Sequence, residues 1–236
     1  MVRARSRVVF ANGGGLLAFL VTSLALADPM PVVAAGDGVL SAPPTDTASG
    51  DQTVPGGWLP VLADCLEERR PGRYAVVDRS TSGETALSLA GRVTALRELR
   101  PSWVLLTIGS RELASDDADP DALRAEVETV VSGLRGKARK SRPALVLLGL
   151  VPPSVPQVEG LDPALQALLD DRTAAYNARI AALAEGLDGV HHVDLWAEWP
   201  REPGPRHALT VEGWSLSDQG HARVAAAVCD VVLSGR

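Results

Sequence analysis

From residue 31 onward the chain alternates between two hydrophobic rhythms. Short apolar runs occur at 31–36 (PVVAAG), 73–78 (RYAVVD), 103–108 (WVLLTI), 144–150 (ALVLLGL) and 190–195 (VHHVDL). They are rich in Val and Leu, end at Gly, Pro or Asp, and lack strict polar alternation. That is the pattern of strands buried on both faces. Between them, apolar residues recur every three or four positions, which predicts helices over 56–70, 84–99, 120–139, 162–187 and 217–233. Asp119-Pro120 and Asp162-Pro163 each set a capping side chain before a proline at the first helical position. Ser217-Asp218 opens the last helix with another capping side chain.

Strand–helix alternation predicts an α/β fold, a three-layer α/β/α sandwich around a parallel sheet. Right-handed crossovers and five strands suit the flavodoxin-like order 2-1-3-4-5. In such sheets the functional cleft lies beyond the carboxyl ends of the strands, near the switch point between strands 1 and 3. The loops 36–43, 79–85, 109–117, 151–161 and 196–216 are therefore the candidates for chemistry.

The first 27 residues follow a different logic. "MVRARSR" is basic, "GGGLLAFLVTSLALA" is apolar, and Ala25-Leu26-Ala27 is a small-x-small site. This is the three-part pattern of a secretory signal peptide. The expectation is an exported, periplasmic, cell-envelope or extracellular domain over 28–236, with no membrane span once the signal is cleaved. With 236 residues, 46% of them hydrophobic, the chain can build one sizeable core. Its net charge of -6 argues against a nucleic-acid partner. No zinc-type Cys/His spacing appears, and neither a metal nor a cofactor is implied. Cys65 and Cys229 lie in the first and last predicted helices, which would sit side by side. Two separately buried thiols are expected ahead of a bridge, because bridge geometry is demanding.

The candidate loops carry four blocks: Gly36-Asp37-Gly38-Val39-Leu40-Ser41, Ser82-Gly83-Glu84-Thr85, Gly109-Ser110-Arg111-Glu112 and Glu212-Gly213-Trp214-Ser215-Leu216-Ser217-Asp218-Gln219-Gly220-His221. In order and spacing they resemble the SGNH (GDSL-type) hydrolases, most closely the small bacterial arylesterase/thioesterase-like branch. The resemblance spans nearly all of 30–233 and implies the same three-layer fold. It also implies what each position does in an active relative. Gly38 stands at the nucleophilic Ser, Gly83 at the oxyanion-hole Gly, and Arg111 at the oxyanion-hole Asn. Glu212 stands at the acid and Ser215 at the catalytic His. Only Gly83 is unchanged, while the framing residues Asp37, Gly109, Gly213, Leu216 and Gly220 still fit.

Acyl transfer by this route needs a nucleophile and a base to take its proton. Glycine has no nucleophile, and a serine hydroxyl is no base near neutral pH. Losing one member of such a unit typically costs on the order of a million-fold in turnover. The expectation is a family member without serine-esterase chemistry, acting as a binding or accessory module. Its vacated cleft would accept a small anion or a carbohydrate, or dock on an envelope protein. Gly38, Gly83 and Arg111 are the candidate ligand-binding positions. Among these loops carboxylates outnumber cations, so an ion pair of Arg111 with Glu112, Glu84 or Glu212 is expected ahead of a bound anion. The alternative is an active esterase with a relocated nucleophile, Ser41 with His221 or His207. His191 and His192, on strand 5, are expected to pack in the core or at its edge. Trp196, Trp199 and Trp214 fall in the last cleft loop, where they would either stack on sugar rings or pack that loop down.

Overall fold

The computed structural model describes residues 28–38, 57–136, 142–153, 163–200, 203–210 and 214–235. The segment 1–27, Ser41, Glu212 and Gly213 lie outside these residues. The elements, in order, are β1 (Met30–Gly36), α1 (Trp58–Arg69), β2 (Tyr74–Asp78), α2 (Ala86–Glu98), β3 (Trp103–Thr107), α3 (Ser110–Leu113), α4 (Pro120–Arg135), β4 (Ala144–Leu148), α5 (Pro163–Glu185), β5 (Val190–Val193), α6 (Leu195–Glu198), α7 (Pro203–Leu209) and α8 (Asp218–Ser234). The sheet is parallel with order β2-β1-β3-β4-β5, as the sequence predicts. Helices α1 and α8 pack together, and α2, α4 and α5 form a second packed set.

The strands are apolar throughout because they are covered throughout. Val32 and Val33 on β1, Val104 on β3 and Leu145 and Val146 on β4 are all fully buried. The helices end for local reasons. Asp119 caps α4 by accepting the Asp121 N–H at 2.9 Å, and Gly136, at φ 54°, stops it four residues short of the predicted end. Thr85 and Ser217 cap α2 and α8 in the same manner. Two glycines are required by close approach. A Cβ on Gly36, at φ 108°, would sit 2.0 Å from the Thr107 carbonyl oxygen. One on Gly220 would sit 2.2 Å from the Leu209 carbonyl oxygen. The first lets the chain turn off β1 against β3, and the second lets α8 start against the end of α7.

The two cysteines are not separate thiols. Cys65 on α1 and Cys229 on α8 form a disulfide, with Cα atoms 6.5 Å apart across 164 residues of sequence. The expected side-by-side packing of α1 and α8 is present, and the rotation of each helix, which no sequence pattern fixes, turns the two sulfurs toward one another. A cross-link closing so long a loop restricts the unfolded chain strongly and stabilises by about 2–5 kcal/mol. Reduction, or Cys65→Ser with Cys229→Ser, should therefore lower the melting temperature by on the order of 10 °C. An unchanged melting curve in reductant would contradict the linkage.

Candidate functional site

The carboxyl end of β1 forms the floor of the site. Asp37 is 4% exposed, and its backbone is fastened to β3: its N–H donates to the Thr107 carbonyl at 2.6 Å, and the Thr107 hydroxyl donates to its carbonyl at 2.9 Å. Its carboxylate spans two further loops. Oδ1 accepts the Gly83 N–H at 2.9 Å, and Oδ2 accepts the Ser110 hydroxyl. One buried side chain thus ties together the ends of β1 and β3 and the loop after β2. Gly38, the next residue, is buried and donates its N–H to the Thr81 carbonyl at 3.3 Å. The N–H groups of Gly38 and Gly83, both candidates for holding a ligand, are therefore already engaged by protein acceptors.

The acidic residues of the site are committed too. Glu84 is 4% exposed and receives a two-pronged ion pair from Arg92 of α2, with Nε to Oε1 at 2.7 Å. A third Arg92 bond, to the Arg79 carbonyl at 2.9 Å, draws the 79–85 loop onto α2. Glu112 turns the other way. Its Oε1 accepts the Ala86 N–H at 2.8 Å, so a side chain from α3 covers the first N–H of α2. Its Oε2 is buried with no hydrogen-bond partner. Burial pushes the Glu112 carboxyl above its ordinary range, against the lowering effect of the Ala86 bond, and the Glu126 and Asp37 charges add to the rise.

Arg111 is left over. It follows Ser110 on α3, whose register sends Ser110 and Leu113 inward and Arg111 outward. Gly109, at φ 117°, begins this turn, and a Cβ there would strike the Tyr176 ring at 3.0 Å. The Arg111 side chain lies across Gly83: a methyl group on that glycine would touch Nη1 at 3.4 Å. Of the three partners expected for Arg111, Glu84 is held by Arg92 and Glu112 by the start of α2, and neither pairs with it, while Glu212 lies outside the described residues. Among the described residues Arg111 makes no ion pair or hydrogen bond.

The last block is built around helix starts. Ser215 is half-buried between buried Trp214 and Leu216, and Thr210 bridges to Leu216. Ser217 accepts the Gly220 N–H and donates to the Ala208 carbonyl at 2.6 Å, joining α7 to α8. His221 is 3% exposed inside α8, and the side chain of His207 lies outside the described residues. Trp199 and Trp214 are 3% and 7% exposed, and the Trp199 indole donates to Thr210 at 2.8 Å. These two pack the loop down and offer no open face. His191 sits beside Trp103 with ring centroids 5.5 Å apart, while His192 lies against Gly149. Both imidazoles are half-buried, and burial lowers their pKa.

Several supports of the site went unread in the sequence. Ser110 occupied an unremarked position within its block, yet it is the second anchor of Asp37. Asn177 of α5 clamps the Leu150 backbone through both its amide groups, at 2.9 and 2.7 Å. Arg206, buried on α7, reaches the Pro153 carbonyl and the Asp170 carboxylate. A buried arginine has no local sequence signal, since its partners lie tens of residues away.

Comparison with known proteins agrees with this fold. The GDSL-like lipase/acylhydrolase family profile matches residues 41–223. That span begins after Gly36-Asp37-Gly38, so the placement of Gly38 rests on its position at the end of β1. No curated protein matches by sequence. Among solved structures the chain is similar to TesA, with 20% identity, TM-score 0.62, and 88% of this chain and 100% of that one covered. It is also similar to a catalytic mutant of Axe2, an acetylxylan esterase from Geobacillus stearothermophilus, with 18% identity, TM-score 0.65, and 88% and 95% coverage. A GDSL-like lipase from Bacteroides thetaiotaomicron gives 16% identity, TM-score 0.63, and 90% and 94% coverage.

The Glu112 environment has a measurable consequence. A carboxyl whose pKa is raised on folding contributes fully below its unfolded value of 4.5, and that contribution is lost as pH rises through the folded value. Glu112→Gln keeps an oxygen for the Ala86 N–H and carries no charge. Its melting temperature should gain on the wild type as pH rises from 4 to 8. A gap that widens toward acid pH would reverse the assigned sign.

Proposed function

The chain belongs to the GDSL-like lipase/acylhydrolase family, and on that premise we propose that it is a non-hydrolytic member, an exported binding or accessory module that uses the family cleft to hold a ligand. The observation that carries this reading is Gly38. It follows Asp37 at the end of β1, where active relatives present their nucleophile, and it has no side chain to attack with. Ser215 at the histidine position supplies no base, and Arg111 replaces a neutral amide with a permanent cation.

Two further facts support the reading. The sheet, the Asp37 anchor and the close-packed glycines hold Gly38, Gly83 and Arg111 at the carboxyl ends of neighbouring strands. His221, one candidate partner for a relocated Ser41, is buried within α8. Export is supported by the Cys65–Cys229 disulfide, because such bonds last in oxidising compartments and are rare in the cytosol. It is also supported by the basic, apolar and small-residue order of the first 27 residues.

The purified protein should hydrolyse short p-nitrophenyl esters no faster than buffer with an equal amount of an inert protein. Turnover that disappears in Ser41→Ala would establish the relocated nucleophile instead. Restoring the family groups with Gly38→Ser, Arg111→Asn and Ser215→His should raise turnover above that background by about a thousand-fold or more, since the three act as a unit. A folded triple variant with no gain would show that these positions do not converge.

A further inference from the structure

Arg111, which makes no ion pair or hydrogen bond among the described residues, occupies an unusual place for such a cation. It stands directly after β3, next to the end of β1, and these two strands flank the point where the strand order reverses. Open α/β sheets take their ligands at that point. The Arg111 side chain lies over the open face of Gly83, in the loop after β2. Among the described residues the neighbouring carboxylates are turned to other groups: Glu84 to Arg92, Glu112 through Oε1 to the first N–H of α2, and Asp37 to Gly83 and Ser110.

Arginine presents a planar fork of donors that matches two oxygens of one carboxylate, phosphate or sulfate. The neighbouring backbone donors, Gly38 and Gly83, are spent inside the protein. Any anion here must therefore be held chiefly by the guanidinium. A carbohydrate finds less, because two of the three candidate stacking rings, Trp199 and Trp214, are buried, and only Trp196 of α6 is partly exposed. Asp37 opposes an anion from below, but its charge is buried and shared between two donors.

We infer that the cleft takes an oxyanion, a carboxylate, phosphate or sulfate group, bound two-pronged by Arg111 above Gly83. The inference rests on the non-hydrolytic reading and narrows its ligand to one chemical class. The oxyanion belongs either to a small free anion or to the charged end of a larger molecule, and the titrants are chosen to recognise the group itself.

The test is a nuclear magnetic resonance titration of the nitrogen-15-labelled full chain at constant ionic strength, with chloride as the balancing ion. The titrants are sodium acetate, inorganic phosphate, sodium sulfate and the neutral sugar xylotriose. Saturable shifts of the Arg111 Nε–H and Gly83 N–H signals are expected with at least one oxyanion, and the tightest of the three names the group. Arg111→Gln should weaken that binding about tenfold or more, as loss of a charge-assisted pair does. Arg111→Lys, which keeps the charge without the fork, should fall between. Both changes are at an exposed side chain, and unchanged melting temperatures would verify the fold. No saturable shift with any oxyanion, equal binding by Arg111→Gln, or saturation by xylotriose independent of Arg111 would overturn the inference. Ester turnover is measured on the same samples. Turnover by the wild type would remove the non-hydrolytic reading whatever the titration gave, whereas silent titrations without turnover would remove only the oxyanion.

Discussion

The site depends on one buried carboxylate. Asp37 has no solvent to stabilise its charge, so it must be met by hydrogen bonds or pay heavily for burial. It finds them in the Gly83 N–H and the Ser110 hydroxyl, which come from two different loops. Those loops cannot drift without stripping a buried charge of its donors. The carboxylate thus fixes the relative positions of Gly38, Gly83 and Arg111, whatever chemistry they perform. The strain glycines follow from the same constraint. Gly36 must bend hard against the Thr107 carbonyl to bring Asp37 over β3, and Gly109 must turn past the Tyr176 ring to bring Ser110 back to Asp37.

This frame is held without any contribution from a side chain at position 38, where glycine has none. The framing residues Asp37, Gly109 and Gly220 are each demanded by a close approach or a buried charge within the protein. Replacing them would cost folding energy, whereas replacing a side chain at 38 or 215 leaves those contacts in place.

The sheet order and its five strands were legible because strands covered on both faces have few other ways to look. The four-residue helices α3 and α6 were not, since one turn carries no periodicity, and α7 opens on a proline-rich stretch that reads as loop. The block alignment placed Gly38, Gly83 and Arg111 at neighbouring strand ends, as the structure does. What it lacked was the allocation of partners. Counting charges in the cleft loops predicted an ion pair for Arg111, but Arg92 lies on a helix outside those loops and takes Glu84 first. For Cys65 and Cys229 the neighbouring helices were legible, but the rotation that brings the two sulfurs together was not.

The central proposal is that the site at the carboxyl ends of β1 and β3 contains no activated hydroxyl. Covalent labelling with a fluorophosphonate tests it most directly, because such reagents react with a serine whose proton is being withdrawn and pass over ordinary ones. The account predicts that the intact mass of the folded chain is unchanged after prolonged exposure, with an active serine esterase labelled alongside as the control. A stoichiometric adduct on one serine, lost on denaturing the protein beforehand, would contradict it.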